Sequence, residues 1–164
     1  MGCRNTRRST NLSSRKENAL IKISHRGNLI GPNPKMENTI EAIFTAIGKG
    51  FDVEIDVWVI DGIIYFGHNE PERIIDTFII DKISNHGWFH CKNLEAVLFF
   101  LENYKDLNYF WHQEDDFTLT SSNYIWTYPG KDVNKMSILV DLDLTSGVVY
   151  NDIYGVCSDY IGLV

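Results

Sequence analysis

Apolar and polar positions follow two periods along this chain, and the switches between them lay out its elements. ALIKIS (19–24) is a short apolar run that predicts a buried strand ending at His25. GNLIGPNPKM (27–36) reads as a Gly/Pro/Asn loop. Ile40, Ile43, Phe44 and Ile47 then recur at i, i+3, i+4 and i+7, one face of a helix. Asn38 is its expected N-cap, with Glu41 three residues on and Gly48 or Gly50 as the stop.

FDVEIDVWVI (51–60) changes to a period of two. Val53, Ile55 and Val57 face one way, and Glu54, Asp56 and Trp58 the other. Asp61-Gly62 signals a hairpin, and IIYFG (63–67) returns as a strand. ERIIDTFIIDKISNHG fits a turn and a short helix. GWFHCK (87–92) predicts a strand and NLEAVLFFLENYKDL (93–107) a helix, with Leu94, Val97, Leu98 and Leu101 on its core face. LNYFWHQ (107–113), NYIWTYP (123–129), MSILVDL (136–142) and YGVCSDYIG (154–162) predict four more strands. Strands alternating with helices predict a parallel sheet of the α/β class.

Composition narrows the class. A chain of 164 residues, 44% hydrophobic and 13% aromatic, fits one folded domain over 19–164. Residues 1–18 read as a disordered basic leader. Arg4, Arg7, Arg8, Arg15 and Lys16 stand there against Glu17, a balance of +4, so the body carries −11 of the total −7. An acidic body argues against nucleic acid as the partner. Cys3, Cys91 and Cys157 show no zinc or disulfide spacing, which predicts a reducing, cytoplasmic setting. No apolar run is long enough to span a bilayer. MGCRNT matches an N-myristoylation pattern, so weak membrane contact through an acylated tail is an option.

The candidate chemistry sits at predicted strand ends. His25 closes the first strand. Glu54 and Asp56 share one side of the second, His90 and Lys92 repeat that spacing on the third, and His112 and Glu114 on the fourth. An inward row of charges is costly to bury unless a cation or phosphate neutralises it. The two carboxylates suit a divalent cation, Mg²⁺ or Ca²⁺, acting as a Lewis acid. Two histidines could share the proton traffic. Arg26 and Lys92 could hold phosphate. Trp58, Trp111, Trp126 and Tyr128 are read as packing, and Asp141 and Asp143 as surface or strand-end acids.

HRG after a first strand, ENT opening a helix, EIDV, DG at a turn and GH ending the hairpin follow in order over residues 22–70. This set resembles the glycerophosphodiester phosphodiesterase family, which shares a superfamily with phosphatidylinositol-specific phospholipases C, and implies that the chain is a short divergent member. The resemblance continues more weakly through Lys92 and VCSDYIG (156–162). It implies a TIM-type (β/α) barrel, here stripped to about seven or eight strands, with helices reduced in the C-terminal half.

The resemblance implies metal-dependent hydrolysis of a small-molecule phosphodiester, with His25 and His68 as the acid/base pair. It implies Arg26, Lys92 and Glu37 at the substrate and Glu54 and Asp56 on the metal. Asp159 is read as supporting such a site through hydrogen bonds. The family often has His-Asp where this chain has His68-Asn69. His90 stands where the family commonly has a carboxylate, so either it coordinates the metal or Glu114 or Asp115 compensates. Two alternatives follow: a silent barrel that binds a phosphorylated sugar or lipid head group, and a phosphodiesterase acting on a polysaccharide or lysophospholipid.

Overall fold

A computed structural model describes residues 19–164. The leader, Cys3 and the acylation pattern lie outside the described residues. Ten strands form one curled mixed sheet. In chain order they are β1 (Ile21–His25), β2 (Asp52–Ile60), β3 (Ile63–Phe66), β4 (Arg73–Ile75), β5 (Gly87–Cys91), β6 (Asn108–Trp111), β7 (Phe117–Leu119), β8 (Ile125–Thr127), β9 (Ser137–Val140) and β10 (Gly155–Ser158). The helices among the described residues are α1 (Ile40–Gly48), α2 (Thr77–Ile83) and α3 (Leu94–Asn103), with two 3₁₀ turns near the end.

The expected TIM-type barrel, stripped of helices in its C-terminal half, is not what the chain builds: the sheet is a curled, mixed half-barrel. Parallel pairing runs β6–β5–β2–β1–β10–β9–β8. Antiparallel pairing joins β2–β3, β3–β4 and β7–β8, so the sheet is mixed. The physical reason lies in the connections. After Asn103 no described segment forms an α-helix. The β8–β9 link turns at Pro129-Gly130, and the β9–β10 link is short loop with one 3₁₀ turn. Without covering helices, the second half is held by strand-to-strand pairing of β7, β8, β9 and β10.

The period-two segment behaves as its pattern requires. Val53, Ile55 and Val57 are fully buried on the outer face of β2. They pack with Ile43 and Ala46 of α1, Ile80 and Ile83 of α2, and Ala96 and Phe100 of α3. Burying each large aliphatic side chain stabilises the fold by about 1.5–3 kcal/mol. Inside the curl lies a second core of Ile23, Trp88, Phe110, Trp126, Ile138 and Cys157. His90, Phe110 and Trp126 stack in series, with ring centroids 5.0 and 4.5 Å apart. This inner core forms the base on which the charged groups stand.

Two local readings change. Thr39, not Asn38, caps α1, its side chain accepting from the Ala42 amide. Asn38 instead adopts a left-handed φ of 56° and turns its amide inward. In α3 the core face is Ala96 and Phe100, while Leu94, Leu98 and Leu101 face solvent. The Asp61-Gly62 turn does join β2 to β3, with φ of 51° and 76°, the paired positive values of a tight hairpin. No helix among the described residues is long and apolar enough to cross a membrane.

Candidate functional site

The ends of β1, β2 and β5 lie side by side, pairing His25 with Glu54 and Asp56 with His90 in register. The site begins with the turn after β1. Arg26 and Gly27 both take positive φ, 55° and 93°, which reverses the chain over α1. A Cβ at Gly27 would lie 2.7 Å from the Ala42 Cβ, so only glycine fits there. The Arg26 amide donates to the Glu54 carbonyl, and its own carbonyl accepts from Asn38. These bonds fix a non-glycine residue in a costly conformation, a pattern concentrated at functional sites.

His25, Arg26, Glu54, His68, His90 and His112 line a cavity of about 280 Å³. The two histidines expected to share proton traffic therefore face the same space. His25 Nδ1 donates to Asp159 Oδ1 at 2.7 Å, and its Nε2 lies 3.9 Å from Glu54 Oε2. The Asp159 carboxylate only accepts, so it keeps the proton on Nδ1 and leaves a lone pair on Nε2. Burial opposes ionisation of Asp159, but the contacts from His25 and Asn28 outweigh it and hold its pKa below the usual value.

Arg26 NH2 donates to His68 Nε2 at 3.2 Å, and His68 Nδ1 donates to Asp56 Oδ2, also at 3.2 Å. Arg26 Nε lies 2.9 Å from Asp56 Oδ2 as an ion pair, without a well-aimed hydrogen bond. Burial disfavours the Arg26 charge, yet Glu54, Asp56 and Glu37 together raise its pKa. Burial likewise opposes ionisation of Asp56. Contacts from His68 and His90 and the charge of Arg26 prevail, holding it well below the carboxylate range.

Glu54 and Asp56 are 2% and 0% exposed, and Glu54 Oε2 and Asp56 Oδ1 receive no hydrogen bond. Glu54 Oε2 is thereby left costly to bury, while Asp56 Oδ1 is met by ion pairs with His90 and Lys92 rather than by an aligned hydrogen bond. Glu54, Asp56 and His90 each bring a ligand atom within 4.8 Å of the others, the one such group among the described residues. His90 Nε2 donates to the His112 carbonyl at 3.0 Å, which turns Nδ1 toward the acids as a lone pair when the ring is neutral. His90 Nδ1 lies 3.1 Å from Asp56 Oδ1 and 3.4 Å from Glu54 Oε1. Without a cation, those acids overcome the cost of burial and raise the imidazole to about 9. Glu54, Asp56 and His90 are the residues that could hold a cation, and a protonated His90 can take its place. Glu114 and Asp115 are exposed and outside this group.

Lys92 and Glu37 stand one step back from the cavity wall. Lys92 Nζ is 3.4 Å from Asp56 Oδ1. Glu37 accepts from Arg26 NH1 at 3.2 Å and from Asn28 at 3.0 Å. His112 donates from Nε2 to the Asp115 carbonyl and stacks on Tyr128, and burial lowers its pKa.

Several contributors escaped the sequence reading. Asn28 is buried and donates to both Glu37 and Asp159. Asn38 is buried, donates to Asp56 Oδ2 and accepts from the Asp56 amide, both at 3.0 Å. Asn in a loop reads as turn chemistry, and only its proximity to the strand-end acids could have flagged it. Trp126 and Tyr128, read as packing, line the cavity. Asp141 is buried and accepts from Ser146 and Tyr150, so it serves the fold rather than the surface. Comparison with protein-family models, with curated proteins and with solved structures found no match, so the arrangement of the site itself carries the functional argument.

Proposed function

We propose that this cleft binds a small-molecule phosphodiester, of the kind the resemblance to glycerophosphodiester phosphodiesterases implies, and hydrolyses one of its ester bonds. The observation that carries the reading is that His25 and His68 line one cavity together with Arg26, Glu54 and His90. Among the described residues, Arg26 is the one arginine or lysine lining the cavity and can bind two phosphate oxygens at once. Moving onto phosphate would take its NH2 from His68 and free Nε2 of that ring. Asp56 at Nδ1 then supports a protonated His68, able to give its Nε2 proton to the departing alkoxide. His25, oriented by Asp159, offers the lone pair on Nε2 to the proton of the attacking water.

A divalent cation held by Glu54, Asp56 and His90 would polarise a phosphoryl oxygen as a Lewis acid. One observation favours a second reading, binding without turnover. A protonated His90 places positive charge beside the acid pair with no metal present. Phosphorus NMR of a diester incubated with the protein, with Mg²⁺, Ca²⁺ or chelator, tests hydrolysis. A monoester product that requires His25 supports the reading. Calorimetric binding with no product under any cation condition favours the silent module.

A further inference from the structure

The cleft has two unlike kinds of lining. The charged groups come from the ends of β1, β2 and β5, the His68 loop and the segment after β6. The rest is Trp126, Tyr128 and Pro129 from the end of β8, with Val140 and Leu142 from the end of β9, and the two kinds meet where Tyr128 stacks on His112. Neither β8 nor β9 contributes a charged side chain to the cavity. Tyr128 and Leu142 remain 38% and 36% exposed, so apolar surface is still open to water at the mouth.

We infer that the diester taken here carries a compact apolar ester group, short alkyl or aryl, seated on this wall in place of a glyceryl group. The inference rests on the phosphate-binding part of the proposed function. Arg26 would hold the phosphate among the charged groups, so an ester group extending toward the ends of β8 and β9 meets Pro129, Val140 and Leu142. A glyceryl group would bring two hydroxyls against Pro129, Val140 and Leu142, which offer no hydrogen bond, with only the Tyr128 hydroxyl and the Trp126 indole polar in this part of the lining, an unfavourable desolvation. An alkyl or phenyl group would remove that apolar surface from water. At about 280 Å³ the cavity holds phosphate and one small group, and it falls below the range of drug-sized sites. A long acyl chain would not be enclosed.

The test reads binding and turnover separately. Phosphonate monoesters of propanol, phenol and glycerol, which resist hydrolysis, are titrated calorimetrically into the protein. Turnover is followed with three 4-nitrophenyl phosphodiesters that share one leaving group and differ in the same three alcohols. The propyl and phenyl phosphonates should bind about 10-fold or more tightly than the glyceryl one, the size expected of apolar contacts in a pocket. Leu142→Asn, at a half-exposed position, should bring that ratio toward one. Equal or tighter binding of the glyceryl phosphonate, or no binding of any, overturns the inference. Selective binding with no turnover of the matching diesters would instead overturn the hydrolytic reading and leave the wall assignment standing.

Discussion

Asp159 accepts a 2.7 Å hydrogen bond from Nδ1 of His25, joining residues 134 positions apart. β1 and β10 pair directly, so their ends set the imidazole and the carboxylate side by side. This contact fixes the tautomer on which the proposed base depends. Asp159→Asn should therefore lower kcat by about 10²–10⁴-fold with a smaller change in KM. Steady-state kinetics checks this, and an unchanged kcat would remove His25 from the proton path.

His90 gives the metal-free protein a distinctive pH response. The ring is raised from 6.5 to about 9, so in the unfolded chain it loses its proton first. Its contribution is fully present below about pH 6.5 and is lost as the pH climbs through about 9. Urea midpoints in chelator should fall across that window, and His90→Gln should flatten the fall. A cation on the same residues would bind the neutral ring and displace its proton. Added Mg²⁺ or Ca²⁺ should then restore the midpoint at the alkaline end. A metal-free midpoint that rises over this window would contradict the arrangement.

Asn38 joins a strained backbone to a buried acid. Asn38→Gly keeps the left-handed φ of 56° accessible but removes the hydrogen bond to Asp56. It should cost about 1–3 kcal/mol through the carboxylate left short of a donor. Asn38→Ala should cost roughly 1 kcal/mol more, because alanine resists that φ. Denaturant unfolding of the two variants measures the difference, and equal stabilities would mean that the turn carries no strain.

The two faces of α3 should respond oppositely. Phe100 is fully buried against Phe89, with ring centroids 4.9 Å apart, so Phe100→Ala should cost about 3–5 kcal/mol. Leu98 is exposed, and Leu98→Gln should change stability by about 0.5 kcal/mol or less. Comparable losses at both positions would contradict the packing described for α3.

The α3 case also shows where sequence patterning stops. LEAVLFFLEN places apolar side chains all round the helix, so spacing alone could not choose between the Leu98 and Phe100 faces. Neighbouring strands made the choice. The alternation in β2 was legible because only one of its faces is apolar, and Asp61-Gly62 because few residues accept two positive φ values. The strand-end groups His25, Glu54, Asp56 and His90 could be named for the same reason, since a period of two fixes which side they share. β7 was missed because Phe117–Leu119 is three residues long with both its apolar side chains exposed, and pairing with β8 holds it. The thin helix complement of the C-terminal half was legible, but the barrel was not built, because antiparallel β2–β3, β3–β4 and β7–β8 pairs make the sheet mixed, and local motifs such as HRG do not report strand pairing. Asn28 and Asn38 were invisible as site residues because their partners are distant acids.

The central claim is best tested by phosphorus NMR on an aryl propyl phosphodiester. Wild type, His25→Ala and Glu54→Gln are compared at equal concentration, each with cation and with chelator. The expected result is a monoester signal from wild type with cation, its rate lowered by about 10²–10⁴-fold in His25→Ala and strongly reduced in Glu54→Gln. Hydrolysis at the same rate in all three proteins, or none in wild type under any cation condition, would contradict the assignment of this cleft to phosphodiester cleavage.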